Sequence, residues 1–155
     1  MTNTVQIYVD ADACPVKEEI YRVAYRHEVP VILVSNSHFK IPDHPLISKK
    51  IVSDKFDAAD DYIADIIAAG MVVITADILL ADRCIKAGAD VLAPNGKPFT
   101  ANSIGAAVAT RAIMQDLRAG MGTENIGGPP PFGKNDRSRF LSSLDEMLVR
   151  LKRSS

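Results

Sequence analysis

The stretch MVVITADILLADRCIKAGADVLA, residues 71–93, contains a strand, a helix and a second strand in succession. MVVIT at 71–75 is a short β-branched run, which is the pattern of a buried strand. A helix near 79–87 is ended by Gly88, and ADVLA at 89–93 forms the next strand. This succession predicts two parallel strands joined by a right-handed crossover.

The same alternation extends toward both ends of the chain. Further strands are predicted at residues 5–9, 31–35 and 50–53. Further helices are predicted from Pro15 at the first helical position to about His27, from Asp57 to Gly70, from a cap at Thr100 or Asn102 to about Arg118, and at 136–152. Loops are predicted at 36–49, 94–100 and 120–135. The pattern indicates one α/β domain over residues 1–155, a three-layer sandwich with a mainly parallel sheet.

The last predicted helix carries an apolar stripe. The stripe consists of Phe140, Leu144, Met147, Leu148 and Leu151. Such a stripe is more often buried inside the same chain than against a partner. We therefore expect this helix to dock on the domain after the Gly/Pro-rich loop that precedes it.

Composition excludes several classes of protein. Of the 155 residues, 47% are hydrophobic and 24% are charged, which is ordinary for a globular protein. No apolar run approaches the roughly 20 residues needed to span a bilayer, and the N-terminus lacks the basic start of a signal peptide. We therefore expect a cytoplasmic protein with no membrane contact, whose Cys14 and Cys84 are reduced and packed. A net charge of -1 excludes binding of nucleic acid by bulk charge alone.

Carboxylates follow three of the predicted strands. They are Asp10 and Asp12 after the first strand, Asp54, Asp57, Asp60 and Asp61 after the short strand, and Asp77 and Asp82 after MVVIT. Ligands of open α/β sheets bind beyond the carboxyl ends of the strands, where the strand order reverses. Carboxylates crowded there repel one another unless a cation neutralises them or some of them are protonated. Mg²⁺ or Mn²⁺, which prefer oxygen ligands, would suit such a site.

Structural roles compete with a metal site at several of these acids. Asp57 and Asp77 are also typical helix caps, and Asp60 is an acid favoured by the helix dipole. Asp54, Asp61 and Asp82 are typical of a solvated surface. The pair Asp10 and Asp12, directly after a buried strand, favours a functional role most clearly.

Five motifs together resemble the YaiI/YqxD family of uncharacterised bacterial proteins over nearly the whole chain. In order they are VDADACPVKEEIYRVA from residue 9, FDAADDYIA from 56, VVITADILLADRCIKAGADVL from 72, NGKPFT from 95, and GGPPPFGKNDRSRF from 127. The family is grouped with PIN-like domains, a class rich in metal-dependent ribonucleases. The resemblance therefore implies a PIN-like fold.

The PIN-like pattern also implies site residues. It implies metal ligands at Asp10, Asp60 and Asp77, with Thr75 opening the T-x-D step that ends at Asp77. Asp12 and Asp57 match the YaiI/YqxD pattern and would act from outside the metal's coordination sphere. The implied reaction is hydrolysis of a phosphodiester, with Mg²⁺ or Mn²⁺ as cofactor and RNA or another nucleic acid as substrate.

A nucleic-acid substrate needs positive and polar side chains beside the acids. The candidates are Lys17, Asn36, Thr75, Arg111, Arg118, Lys134, Arg137 and Arg139. Lys134, Arg137 and Arg139 flank the Gly/Pro loop. Each of the charged candidates is also typical of a solvated surface.

Two other functions remain open from the sequence. One is a phosphatase of the haloacid-dehalogenase type, with Asp10 as nucleophile, Ser35 after the second strand, Asp77 and Asp82 as the last acidic pair, and Lys49, Lys50 or Lys55 as the required lysine. The other is a non-catalytic binding module on a PIN-like scaffold. The sequence also leaves open whether the chain forms homo-oligomers.

Overall fold

The computed structural model describes residues 5–53, 55, 58–106, 108–110 and 132–154. The strands are β1 (Ile7–Asp10), β2 (Val31–Ser35), β3 (Ile47–Ile51), β4 (Val72–Ile74), β5 (Asp90–Leu92) and β6 (Pro98–Phe99). The helices with described bounds are α1 (Lys17–His27), α2 (Ala58–Ile66), α3 (Ile78–Lys86) and the C-terminal helix (Lys134–Ser154). Residues 101–106 and 108–110 are also helical. Within the described ranges, no helix has both the length and the apolar character needed to cross a membrane.

The strands form one sheet in the order β3-β2-β1-β4-β5-β6, parallel except for the antiparallel pair β5 and β6. Alternate residues of each strand face opposite sides, so Ile7 and Val9 enter one core and Tyr8 enters the other. The first core also receives α1 and the C-terminal helix, and the second receives α2 and α3. This three-layer α/β arrangement confirms the predicted fold class and agrees with a PIN-like sandwich.

The strand order reverses between β1 and β4. From β1 the chain crosses over to β2 and then to β3, whereas from β4 it crosses in the opposite direction to β5. Val9 pairs in register with Ile74, so the next residues, Asp10 and Thr75, leave the sheet at the same level. This is the switch point at which open α/β sheets bind their ligands.

Two strands differ from the sequence-based expectation. The short strand predicted at 50–53 spans Ile47–Ile51 instead, so it begins three residues earlier, inside the segment expected to be a loop, and ends two residues earlier. It is an edge strand whose middle residues are exposed, so it lacks the apolar run that marks a buried strand. β6 was also missed, because its two residues lie inside the turn-rich stretch that follows β5.

Two helix starts are also resolved. α1 begins at Lys17 rather than Pro15, because a 3-10 turn at Ala11–Ala13 and a further turn precede it. The cap before residue 101 is Thr100 rather than Asn102. The Thr100 hydroxyl accepts from the Ser103 N–H at 3.1 Å, and the Ser103 hydroxyl accepts from the Thr100 N–H at 2.8 Å. The start of the second predicted helix at Asp57 and the end near Arg118 lie outside the described residues.

The C-terminal helix is docked, as predicted. Phe140, Leu144 and Leu148 are each 0% exposed and lie in the core beside α1. Ser143 Oγ also donates to the carbonyl of Gly96 at 2.7 Å, in the turn between β5 and β6. A Cβ on Gly96 would lie 2.6 Å from the carbonyl carbon of Arg139, and Gly96 has a φ of +88°. Only glycine therefore lets this turn approach the helix so closely.

The docking of this helix predicts the effect of truncating its central aromatic residue. Phe140→Ala should lower the free energy of unfolding by about 3–5 kcal/mol, because it opens a cavity in a closed core. Urea unfolding measures this loss. Leu79→Ala, at a side chain that is 50% exposed, is the matched control and should cost less than about 1 kcal/mol. Equal losses in the two variants would contradict the docked position.

Candidate functional site

A cavity of about 220 Å³ lies at the switch point, beyond the carboxyl ends of β1 and β4. Its lining residues are Asp10, Asp12, Cys14, Ile74, Thr75, Ala76, Asp77 and Pro94. They come from the two segments that leave β1 and β4 and from the segment that leaves β5. Three of the predicted carboxylates therefore line one cavity, because parallel strands end at the same edge of the sheet.

Thr75 connects two of these carboxylates. Its hydroxyl donates to Asp10 Oδ2 at 3.0 Å and accepts from the backbone N–H of Asp77 at 3.0 Å. Asp77 Oδ1 in turn accepts from the N–H groups of Leu79 and Leu80 at 2.9 and 3.2 Å. Asp77 is thus the cap of α3, as its sequence position allowed, and it also lines the cavity. The cap uses only Oδ1 of this carboxylate.

Asp12 is held by the end of β2. The hydroxyl of Ser35, which is 1% exposed, donates to Asp12 Oδ1 at 2.5 Å, and the N–H of Asn36 donates to Oδ2 at 3.4 Å. Ser35 Oγ also accepts from the N–H of Ser37 at 3.0 Å. The ends of β1 and β2 are therefore joined by one set of hydrogen bonds, and those of β1 and β4 by the set around Thr75. Asn36 takes part in the first set through its backbone, while its side chain is exposed.

Burial and crowding change the ionisation of the cavity residues. Burial raises the pKa of Asp10, the Thr75 hydrogen bond opposes this, and the nearby carboxylates of Asp12 and Asp77 raise it further. Burial raises the pKa of Cys14 to about 11. Cys14 is therefore a neutral thiol at neutral pH, in agreement with its expected role as a packed residue.

Asp60 stands apart from this group. It is the third residue of α2 and does not line the cavity. The hydrogen bond to Asp61 raises the pKa of Arg83 on α3, and burial raises the pKa of the neighbouring Cys84. The charge of Asp60 adds a smaller contribution to each pKa. Asp57 lies outside the described residues. The structure thus brings together Asp10, Asp12 and Asp77, whereas the predicted ligand set combined Asp10 and Asp77 with Asp60.

Within the described part of the chain, no three His, Cys, Asp or Glu side chains form a group that could hold a metal ion by themselves. The carboxylates that share the cavity are therefore not arranged as a closed protein cage. The metal site with ligands Asp10, Asp60 and Asp77 stays a prediction.

Two predicted cations lie behind the cavity wall. Arg137 donates to the carbonyl of Pro15, next to the lining residue Cys14, at 2.8 Å and reaches Glu19 at 3.4 Å. Arg139 donates to the carbonyl of Asn95, next to the lining residue Pro94, at 3.3 Å, and it also pairs with Asp136. Both guanidinium groups are thus engaged by the protein itself.

The other predicted substrate-binding residues are scattered. The Nζ atom of Lys17 lies 4.5 Å from the centre of the Phe39 ring, and Lys134 is exposed at the start of the C-terminal helix. Arg111 and Arg118 lie outside the described residues. Sequence reasoning considered Ser35 only for a phosphatase and did not identify its bond to Asp12. The signal was present, since Ser35 is the polar last residue of an otherwise apolar strand.

The raised pKa of Asp10 predicts how stability depends on pH when metal is absent. The folded state holds the Asp10 proton to a higher pH than the unfolded state does, so its contribution to stability is greatest below the ordinary aspartate pKa. That contribution is lost as the pH rises through the folded-state value. Asp10→Asn, whose amide oxygen can still accept from Thr75, should therefore be more stable than wild type at pH 7 in a chelator.

Urea unfolding of both proteins from acid to neutral pH measures this difference. The two stability curves should converge toward acid pH and separate as the pH rises. A variant that is less stable than wild type at neutral pH would contradict the raised pKa of Asp10.

Comparisons with known proteins place the chain in a family. The family model described as "Uncharacterized BCR, YaiI/YqxD family" matches residues 8–150. A UPF0178 protein of Sphingopyxis alaskensis is 70% identical over 147 residues, which is 95% of each chain. A UPF0178 protein of Jannaschia is 58% identical over 146 residues, or 94% of each chain. No solved structure gives a significant match. The chain belongs to the YaiI/YqxD family of uncharacterised bacterial proteins.

Proposed function

We propose that this protein is a divalent-metal-dependent hydrolase that cleaves phosphodiester bonds in a nucleic acid, with RNA as the first substrate to test. The observation that carries the proposal is that Asp10, Asp12 and Asp77 line one cavity at the switch point of the sheet. Carboxylates crowded into one site repel one another and so destabilise the fold. Such a cluster is therefore expected where the carboxylates bind a cation or transfer protons. The uncharacterised family itself supplies no activity.

The chemistry of the donor set fits Mg²⁺ or Mn²⁺. Among the described residues, Oδ1 of Asp10 and Oδ2 of Asp77 have no hydrogen-bond partner, since Thr75 and the α3 backbone engage the opposite oxygens. Mg²⁺ keeps several waters and is usually held by only one or two carboxylates, so it does not need a closed protein cage. Burial and, to a smaller extent, the neighbouring carboxylates raise the pKa of Asp10, and a bound cation would favour its charged form.

The residues of the chain would divide the work. A metal bound here would lower the pKa of a water and stabilise charge on the phosphate. Thr75 fixes the orientation of Asp10, and the cap at α3 fixes Asp77. Asp12, held by Ser35 and the Asn36 N–H, can orient a water within the cavity while lying outside the metal's coordination sphere. Asp57 and Asp60 remain further candidates for the catalytic set.

A phosphatase with Asp10 as nucleophile is a second candidate, because Ser35 and Asp77 lie at the strand ends that such an enzyme requires. The required lysine does not fit. No lysine is among the lining residues of the cavity in the described part of the chain. Lys49 donates to the carbonyl of Phe39, and Asp82 pairs with Lys86. A trapped aspartyl-phosphate on Asp10 would decide in favour of the phosphatase.

Substitution of Asp10 tests catalysis directly. Asp10→Asn should reduce Mn²⁺-dependent cleavage of a labelled single-stranded RNA at least about 100-fold, the scale of losing one positioned catalytic group. Gel analysis of the products measures the rate. Asp61→Asn is the matched control, because Asp61 lies on α2 in an exposed ion pair with Arg83. Its rate should equal that of wild type, and an unchanged rate in Asp10→Asn would contradict the proposal.

Metal binding can be tested without any substrate. Mn²⁺ at 100 times its dissociation constant should stabilise wild type by about 2.7 kcal/mol, because it binds only the folded state. Thermal unfolding with and without Mn²⁺ measures the gain. Asp10→Asn should lose most of this gain, whereas Asp61→Asn should keep it. No gain in wild type would favour the non-catalytic binding module.

A further inference from the structure

The edge strand β3 carries exposed lysines on both of its faces. Lys49 pairs in register with Leu33, whose side chain enters the core beside α1, and Lys50 pairs with Val34, whose side chain enters the core beside α2. Adjacent residues of a strand point to opposite faces of the sheet. The two ammonium groups therefore lie on either side of the same sheet edge.

Aromatic rings hold these ammonium groups in place. Lys49 Nζ lies 5.7 Å from the centre of the Phe39 ring and donates to the Phe39 carbonyl at 2.7 Å. Lys17, from α1, lies over the same ring at 4.5 Å. Lys50 Nζ lies 5.7 Å from the centre of the Tyr62 ring. We call Lys17, Lys49 and Lys50 the lysine strip.

The charges of the lysine strip are available to a partner. Within the described residues, none of the three lysines has a carboxylate at ion-pair distance. Arg137 and Arg139, the cations expected from the sequence to meet the substrate, are instead occupied by carboxylates and backbone carbonyls. Lys17, Lys49 and Lys50 thus supply positive charge without a carboxylate partner on the β3 side of the cavity, within the described part of the chain.

The lysine strip lies on the side of the cavity that faces β2 and β3. Asp10, Val34 and Lys50 lie in one row across β1, β2 and β3, so their backbones are separated by two strand spacings, about 10 Å in all. Lys17 lies near enough to the lining residue Cys14 for its charge to act on that thiol. A strand with one phosphate in the cavity could place a neighbouring phosphate against these lysines.

We infer that the lysine strip binds the phosphodiester backbone of a nucleic-acid strand and leads it into the cavity at Asp10. This inference rests on the proposed function, because it assigns the direction from which that substrate enters. Ammonium groups supply the point charges that phosphates require, and such contacts are independent of base sequence. The entry path therefore runs over Lys17, Lys49 and Lys50, not over Arg137 and Arg139.

Edge-strand lysines have a second common role, which is to prevent another strand from pairing with the exposed edge. That role alone would leave nucleic-acid affinity unchanged when the lysines are neutralised, while self-association would increase. The two roles therefore give opposite results in a binding experiment.

The test compares double variants in a chelator, where no cleavage occurs. The probes are a short fluorescein-labelled oligouridylate and the oligodeoxythymidylate of the same length, titrated with protein at several salt concentrations. K49Q/K50Q should weaken binding roughly tenfold or more at about 0.1 M salt and reduce the salt slope by about 1.4, since each phosphate contact on a single strand contributes about 0.7.

Two control variants separate charge from folding. K86Q/R153Q also removes two positive charges, but from the ends of α3 and the C-terminal helix. It should bind the probes as tightly as wild type does. K49R/K50R keeps the charges and should retain the affinity. The inference is overturned if wild type binds neither probe or if K49Q/K50Q binds as tightly as wild type. It is also overturned if K86Q/R153Q or K49R/K50R loses as much affinity as K49Q/K50Q does.

The outcome also distinguishes this inference from the proposed function. Mn²⁺-dependent cleavage by wild type, together with affinity independent of Lys49 and Lys50, would overturn the entry path alone. Lysine-dependent binding without any Mn²⁺-dependent cleavage would support the entry path and overturn the hydrolase. Comparison of the two probes shows whether the 2′-hydroxyl contributes to recognition.

Discussion

The hydrogen bond from Thr75 to Asp10 ties β1 to β4 at the place where the strand order reverses. It spans 65 positions in sequence, and the same hydroxyl accepts from the N–H of Asp77. One buried threonine thereby fixes the ends of two strands and the start of α3 relative to one another. The geometry of the cavity depends on this hydroxyl, because a valine of similar shape would remove both of these hydrogen bonds.

The same contact explains why the folded chain tolerates crowded acids. A buried carboxylate beside two others is unfavourable, and the Thr75 hydroxyl offsets only part of that cost, since the pKa of Asp10 remains raised. The C-terminal helix contributes from behind, because Arg137 and Ser143 fix the backbone at Pro15 and Gly96, beside the cavity wall. The fold therefore holds carboxylates that repel one another in one site, and a bound cation or proton would reduce this repulsion.

The sequence predicted the centre of this structure better than its edges. Apolar runs identified β1, β2, β4 and β5, because buried parallel strands need continuous hydrophobic residues. β3 and β6 lie at the sheet edges, where one side of the strand is unpaired and polar residues are tolerated, so their patterns gave no clear signal. Asp10 and Asp77 were placed together by the strand-end rule alone. The position of Asp60 depends on how α2 is rotated on the sheet, which periodicity within the helix cannot determine.

The net charge is close to zero, but in the folded protein lysines and carboxylates are concentrated in different places. Lys49 and Lys50 lie far along the chain from Asp10, and from the sequence they were considered only as candidates for the lysine of a phosphatase. Pairing of β3 with β2, and of β2 with β1, sets Lys50 in one row with Asp10 and Lys49 in the adjacent row. A net charge of -1 therefore does not exclude a polyanionic ligand, because the relevant quantity is the local field on one side of the sheet. A cation in the cavity would extend that positive field to Asp10 itself.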